Sequence, residues 1–192
     1  MNKNEYRIER FKEMMKPCFC RMATGEAFPI TQLIEAGYFT CPASLHHHGK
    51  FEGALFDHSV AVTESLLYLT EKLELKWKTS ESPLIIGMFH DLCKVDNYKK
   101  TVHPMTLENP DFKESWAYNN APLLTGHGEK SVIMLQQLGI RLTEEEILCI
   151  RWHMGAFDKE ENWNSYGRSV TRYPNVLYTH TADMIAARVL GV

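Results

Sequence analysis

Six side chains in this sequence have the types and order of a metal site: His58, His90, Asp91, His127, His153 and Asp183. Two stand side by side in Phe89-His90-Asp91-Leu92-Cys93-Lys94, with a lysine one turn further on. A carboxylate is costly to bury alone, and a metal ion is the simplest partner for a buried His-Asp pair. A single His-Asp dipeptide is a weak motif, more often a core histidine beside a salt-bridged aspartate. The other four residues reverse that weighting. Imidazole nitrogen with carboxylate oxygen suits borderline divalent ions such as Fe, Mn, Zn, Co or Ni. Four histidines and two aspartates exceed the needs of one ion, whereas two ions sharing one carboxylate use all six. His58, His90, Asp91 and Asp183 would hold the first ion. His127, His153 and a bridging Asp91 would hold the second, leaving positions open for water or substrate.

The elements that must position these residues read as helices. Ser82 can cap one, Pro83 suits its first turn, and Leu84, Ile85, Ile86 and Met88 give it apolar bulk. His90 and Asp91 would lie on this mostly buried helix, which Lys94 ends. His58, Val62, Leu66, Leu69 and Leu73 recur at helical spacing on a long helix reaching about Leu75. His58 therefore falls on an inward stripe, where a histidine alone is more often a satisfied core residue than a ligand. Gly126-His127 opens another helix, stopped by Gly139. Thr143-Glu144-Glu145-Glu146 is a capping box, starting a helix that carries Ile150, Trp152 and His153 to Gly155. Pro174 leads a last helix through His180 and Asp183 to Gly191. Pro29 to Ala36 reads as a short helix ended by Gly37. Asp158 to Tyr173 reads as a polar, aromatic loop. Asn97 to Thr125, with Pro104, Pro110 and Pro122, reads as a long loop or a small hairpin at the mouth of a site. No strand pair is evident elsewhere. The expected fold is all-α, with a helical arm at 1–43 and one helical domain at 44–192.

The 192 residues are 44% apolar and 23% charged, ordinary for a globular protein with a real core. A net charge of -3 gives no broad reason to expect nucleic-acid binding. The absence of a leader-like or membrane-spanning apolar run makes a cytoplasmic protein the expectation. Cys18, Cys20, Cys41, Cys93 and Cys149 are odd in number and scattered, unlike a disulfide framework. Cys18-Phe19-Cys20 is too tight for a common zinc knuckle. Cys93 and Cys149 fall in apolar helical patterns and read as small core residues.

The order His, His-Asp, His, His, Asp resembles the HD superfamily of metal-dependent phosphohydrolases. His90-Asp91-Leu92-Cys93-Lys94 is similar to its His-Asp-x-x-Lys signature. The additional His127 and His153 resemble the binuclear branch. Within it the nearest resemblance is to the HD domain of bacterial 3′–5′ exoribonucleases, carried by His47-His48, Gly53 to His58, Gly126-His127 and His153-Met154-Gly155. It spans about Leu45 to Arg188. The second histidine of their His-His-Gly is Met154 here, and their OB domain has no counterpart in these 192 residues. The resemblance implies hydrolysis of a phosphoester, with Asp91 and Lys94 catalytic. A water shared by two ions would be deprotonated near neutral pH and attack phosphorus in line. Lys94 would contact a phosphate oxygen as a point charge, although a helix-end lysine favoured by the dipole is an equal reading. His48, Lys130 and Arg151 are further phosphate-binding candidates, and Tyr98, Trp116 and Trp163 could stack on a base. The expected substrate is a small phosphorylated compound, a nucleotide or short RNA. The same ligand set also serves di-iron oxygenases of the superfamily. A non-catalytic nucleotide-binding module is the third reading, disfavoured by the intact ligands.

Overall fold

Asn2 accepts a hydrogen bond from the Glu5 backbone while the Glu5 side chain accepts one from Asn2. This capping box starts α1 (Lys3–Met15). A computed structural model describes residues 1–23, 27–45, 49–103, 113–119 and 126–192, and the chain is mainly helical. After α1 come α2 (Ile30–Glu35), α3 (Ala54–Lys72), α4 (Ser82–Phe89) and the short α5 (Lys94–Asn97). Next are α6 (His127–Gln137), α7 (Glu144–Arg151), α8 (Trp163–Arg172) and α9 (Asn175–Met184). The last of these runs on as a wider π-helical segment, Ile185–Leu190. Between α5 and α6, β1 (Tyr98–His103) pairs antiparallel with β2 (Lys113–Tyr118), Tyr98 opposite Tyr118 and Lys100 opposite Trp116. The segment expected to be a loop or hairpin thus supplies the one sheet among the described residues. Its three prolines lie outside the described residues, as do His46, His47 and His48.

The N-terminal region is part of the core. Phe11, Tyr38, Phe39, Phe56 and Phe89 form a buried aromatic knot, with ring centroids 5.4 Å apart for Phe11–Phe39 and 6.0 Å for Phe11–Phe89. Phe89 is the last residue of α4, so the knot fixes the point from which His90 and Asp91 depart. The Tyr38 hydroxyl donates to the Met88 carbonyl in the same turn. Arg7 donates to both carboxylate oxygens of Asp57, at 2.9 and 2.7 Å, locking α1 to the start of α3 beside His58.

Two close helix contacts depend on glycine. A Cβ at Gly87 would sit 2.6 Å from Thr63 Cα, so α3 and α4 touch backbone to backbone. A Cβ at Gly128 would sit 2.3 Å from the Arg151 carbonyl, where α6 meets the end of α7. The first contact brings the His58 and His90 elements together, and the second does the same for His127 and His153.

Several boundaries differ from the sequence expectation. Ser82 does not cap α4; it is the first helical residue, and its Oγ donates to Glu146. The helix stops at Phe89, leaving His90 and Asp91 in a turn, and Lys94 opens α5 instead of ending α4. The last carbonyls of α4 are taken by side chains, Gly87 by His90 and Met88 by Tyr38. Beyond them the backbone tightens to i,i+3 bonds, Leu92 to Phe89 and Lys94 to Asp91. Likewise α7 ends at Arg151, so His153 lies in the turn beyond it. The expected loop at 158–173 contains a helix, α8, because Tyr166 and Val170, four apart, pack on the core. No helix among the described residues is long and apolar enough to cross a membrane.

Candidate metal centre

Three of the four histidines are held by the same device. His58 Nδ1 lies 2.9 Å from the Val192 carbonyl, His90 Nδ1 2.9 Å from that of Gly87, and His153 Nδ1 2.7 Å from that of Ile150. A carbonyl only accepts, so each Nδ1 carries the proton and donates. In the neutral ring each Nε2 then has its lone pair directed inward. At His90, against burial, the nearby Asp91 raises the pKa, so a bound ion would take the place of a proton there. His58 Nε2 and His90 Nε2 lie 3.3 Å apart, an acceptor facing an acceptor when both rings are neutral. His153 Nε2 lies 3.4 Å from Asp91 Oδ1 and, though fully buried, makes no hydrogen bond. Such contacts are unfavourable unless a proton or a cation lies between them.

Asp91 stands at the centre, and its two oxygens face different ways. Oδ1 meets His127 Nε2 at 2.6 Å and His153 Nε2 at 3.4 Å. Oδ2 meets Lys94 Nζ at 2.5 Å, His90 Nε2 at 3.4 Å and His58 Nε2 at 3.7 Å. Asp183 Oδ1 closes the second group, 3.1 Å from His58 Nε2 and 3.8 Å from His90 Nε2. Ligand atoms about 2.0–2.2 Å from one ion lie roughly 3.0–3.5 Å from one another; the spacings here, from 2.6 to 3.8 Å, are centred on that range. The residues therefore fit a metal ion, and the cluster can hold metal. All six expected ligands come together, from α3, the turn after α4, α6, the turn after α7, and α9.

The charges support this fit. Burial is the largest influence on Asp91 and would raise its pKa, but Lys94, His90 and His127 outweigh it and hold the carboxyl well below the usual range. Burial likewise opposes the ionised Asp183, yet the His58 hydrogen bond and nearby rings pull its pKa down to about 2. Both carboxylates are ionised at neutral pH. Burial lowers the His153 pKa and keeps that ring neutral, ready to ligate. His127 differs: against its burial, Asp91 raises its pKa to about 10, so without a metal it is an imidazolium. An ion bound at His127 would displace that proton.

The cluster forms the floor of a cavity of about 360 Å³. Lys94 and Tyr98 line it. Lys130 and Arg151 do not line it. Lys130 is buried between Asp96 and Asn97, and Arg151 pairs with Glu129 and Asp158 while lying on the Trp152 ring at 3.9 Å. Their charges are taken up by these ion pairs, away from the cavity. His48, the remaining phosphate candidate, lies outside the described residues. Trp116 carries Lys100 over its ring and Trp163 donates to the Asp158 carbonyl; neither reaches the cavity.

Three further residues were missed. Cys93, expected as plain core, has its Sγ 3.4 Å from His127 Nδ1, within ligand reach of the Asp91–His127 pair. Phe157 lines the cavity, as does Arg188. An α-helix would place Arg188 about 140° around from Asp183. The π-helical winding after Met184 brings residues five apart towards one face, which no helical periodicity would reveal. The chain matches no protein-family model, no curated protein and no solved structure with which it was compared.

Proposed function

We propose that this chain is a metal-dependent phosphohydrolase of the HD type, holding two divalent ions that share Asp91. The observation that carries the reading is the division of the Asp91 carboxylate, one oxygen towards His58 and His90, the other towards His127 and His153. His58, His90, Asp183 and Asp91 would hold one ion, and His127, His153 and Asp91 the other. Divalent ions there would supply Lewis acidity, bringing the pKa of water towards neutrality and offsetting phosphate charge. Lys94 stays protonated, because Asp91 outweighs its burial and raises its pKa. Its Nζ faces the cavity and donates to a phosphate oxygen of the substrate. Met154 gives the same space an apolar wall.

Elemental analysis after metal loading tests the stoichiometry. Wild type should carry two ions per chain, and His127→Ala with His153→Ala should carry one. One ion in wild type would refute the shared site.

The cavity and the net charge of -3 favour a nucleotide or very short oligonucleotide over long RNA. Mn²⁺-loaded protein should cleave a mononucleotide or dinucleotide at least about tenfold faster than long single-stranded RNA, with weak salt dependence. Processive degradation of the long RNA would overturn this preference. Oxygen uptake by the Fe²⁺-loaded protein, with no phosphate released, would assign the site to the oxygenase reaction instead.

A further inference from the structure

The cavity presents a second cation that the proposed chemistry does not use. Arg188 lines it, is exposed, and makes no ion pair or hydrogen bond with any described residue. Lys94, by contrast, is paired with Asp91 at 2.5 Å. Met184, Ala187 and Val192 line the cavity from the same C-terminal strip as Arg188, and Met154 and Phe157 stand among the other lining residues, away from the polar cluster at Asp91. An exposed guanidinium with no protein partner, at the edge of an apolar wall, is free to take an anion, and a planar fork suits phosphate. Phe157 lies against the His180 ring at 6.2 Å yet is 64% exposed, and so still offers aromatic surface to the cavity it lines. The strip begins at Asp183, in the metal cluster, and Arg188 lies five residues on, about 7 Å along a helix axis. This is the scale of one nucleoside.

We propose that Arg188 is a specificity-determining residue that grips a second phosphate of the substrate, the one that is not cleaved. The scissile phosphate lies over the Asp91 cluster and the nucleoside between them rests against Phe157. The substrate class is thus a nucleotide with phosphates on both sides of one nucleoside, ahead of a simple monophosphate. This rests on the phosphohydrolase reading only for which phosphate is cleaved; the second grip is a binding property.

Calorimetric titration of Mn²⁺-loaded protein with adenosine 3′,5′-bisphosphate, adenosine 5′-phosphate and adenosine 3′-phosphate tests it. Wild type should bind the bisphosphate roughly 10- to 100-fold tighter than either monophosphate. Arg188→Ala should bring that ratio close to one, and Arg188→Lys should restore part of it. Arg172→Ala, a surface change of equal charge, should leave the ratio intact. An unchanged ratio in Arg188→Ala, or none in wild type, overturns the proposal. Phosphate release is followed in the same samples. Absence of turnover with the Arg188-dependent ratio intact would defeat the hydrolase reading alone.

Discussion

Asp91→Ala should empty the metal centre and lower turnover by about a thousandfold or more. Among the described residues only the Asp91 carboxylate makes close contact with all four rings: it lies 2.6 Å from His127, 3.4 Å from His90 and His153, and 3.7 Å from His58. Its loss also strands Lys94, whose only ion pair is with Asp91. Asp91→Asn keeps the shape and removes the charge, and should lose metal with a smaller loss of stability. Metal content, turnover and far-ultraviolet circular dichroism measured together separate loss of the site from loss of the fold. A folded Asp91→Ala protein still holding two ions would show that another group bridges them.

Glu146→Ala should produce the largest loss of stability from a residue outside the site. Glu146 is fully buried, and its carboxylate accepts from the Thr143 backbone, from Arg21 at 3.0 and 2.6 Å and from Ser82 at 2.8 Å. It ties the N-terminal segment, α4 and α7 into one network. Removing one partner of a buried pair costs about 3–5 kcal/mol, because the remaining charge is left without compensation. For a chain of 192 residues this lowers Tm by roughly 6–20 °C. Glu144, in the same first turn, is exposed and pairs only at the surface with Arg172 and Tyr173. Glu144→Ala should cost no more than about 0.5 kcal/mol. Equal losses for the two variants, measured by thermal melting, would mean that helix-end electrostatics and not the network sets the cost.

The contrast between these glutamates marks how far the sequence could be read. Thr143 with Glu146 is legible as a capping box because both partners lie within one turn. That Glu146 also receives Arg21 is a contact across 125 positions, which no local pattern encodes. The candidate ligands were legible for a similar reason: each is a polar residue near a helix end or within an apolar stripe, and burial without a partner is unfavourable. The ends of α4 and α7 were not. They are set by carbonyls diverted to His90, to Tyr38 fifty positions away, and to His153. Lys130 and Arg151 looked free because Asp96, Glu129 and Asp158 reach them only in the fold. α8 was hidden because Asn, Ser, Gly, Arg and Thr dilute its short apolar face.

Gly87 and Ile150, whose carbonyls receive His90 and His153, lie in the final turns of α4 and α7. Each imidazole therefore loses its rotational freedom when its helix forms, not when an ion arrives. Ordering a side chain costs free energy wherever it happens, and here folding has already met that cost. Capture of an ion then freezes little at these two rings. Small domains that fold only around zinc couple the two events; at these two rings they would be separate. Any ion held there should exchange with solvent while the helices stay intact, so that supply of metal would set occupancy of the site without setting how much folded protein there is.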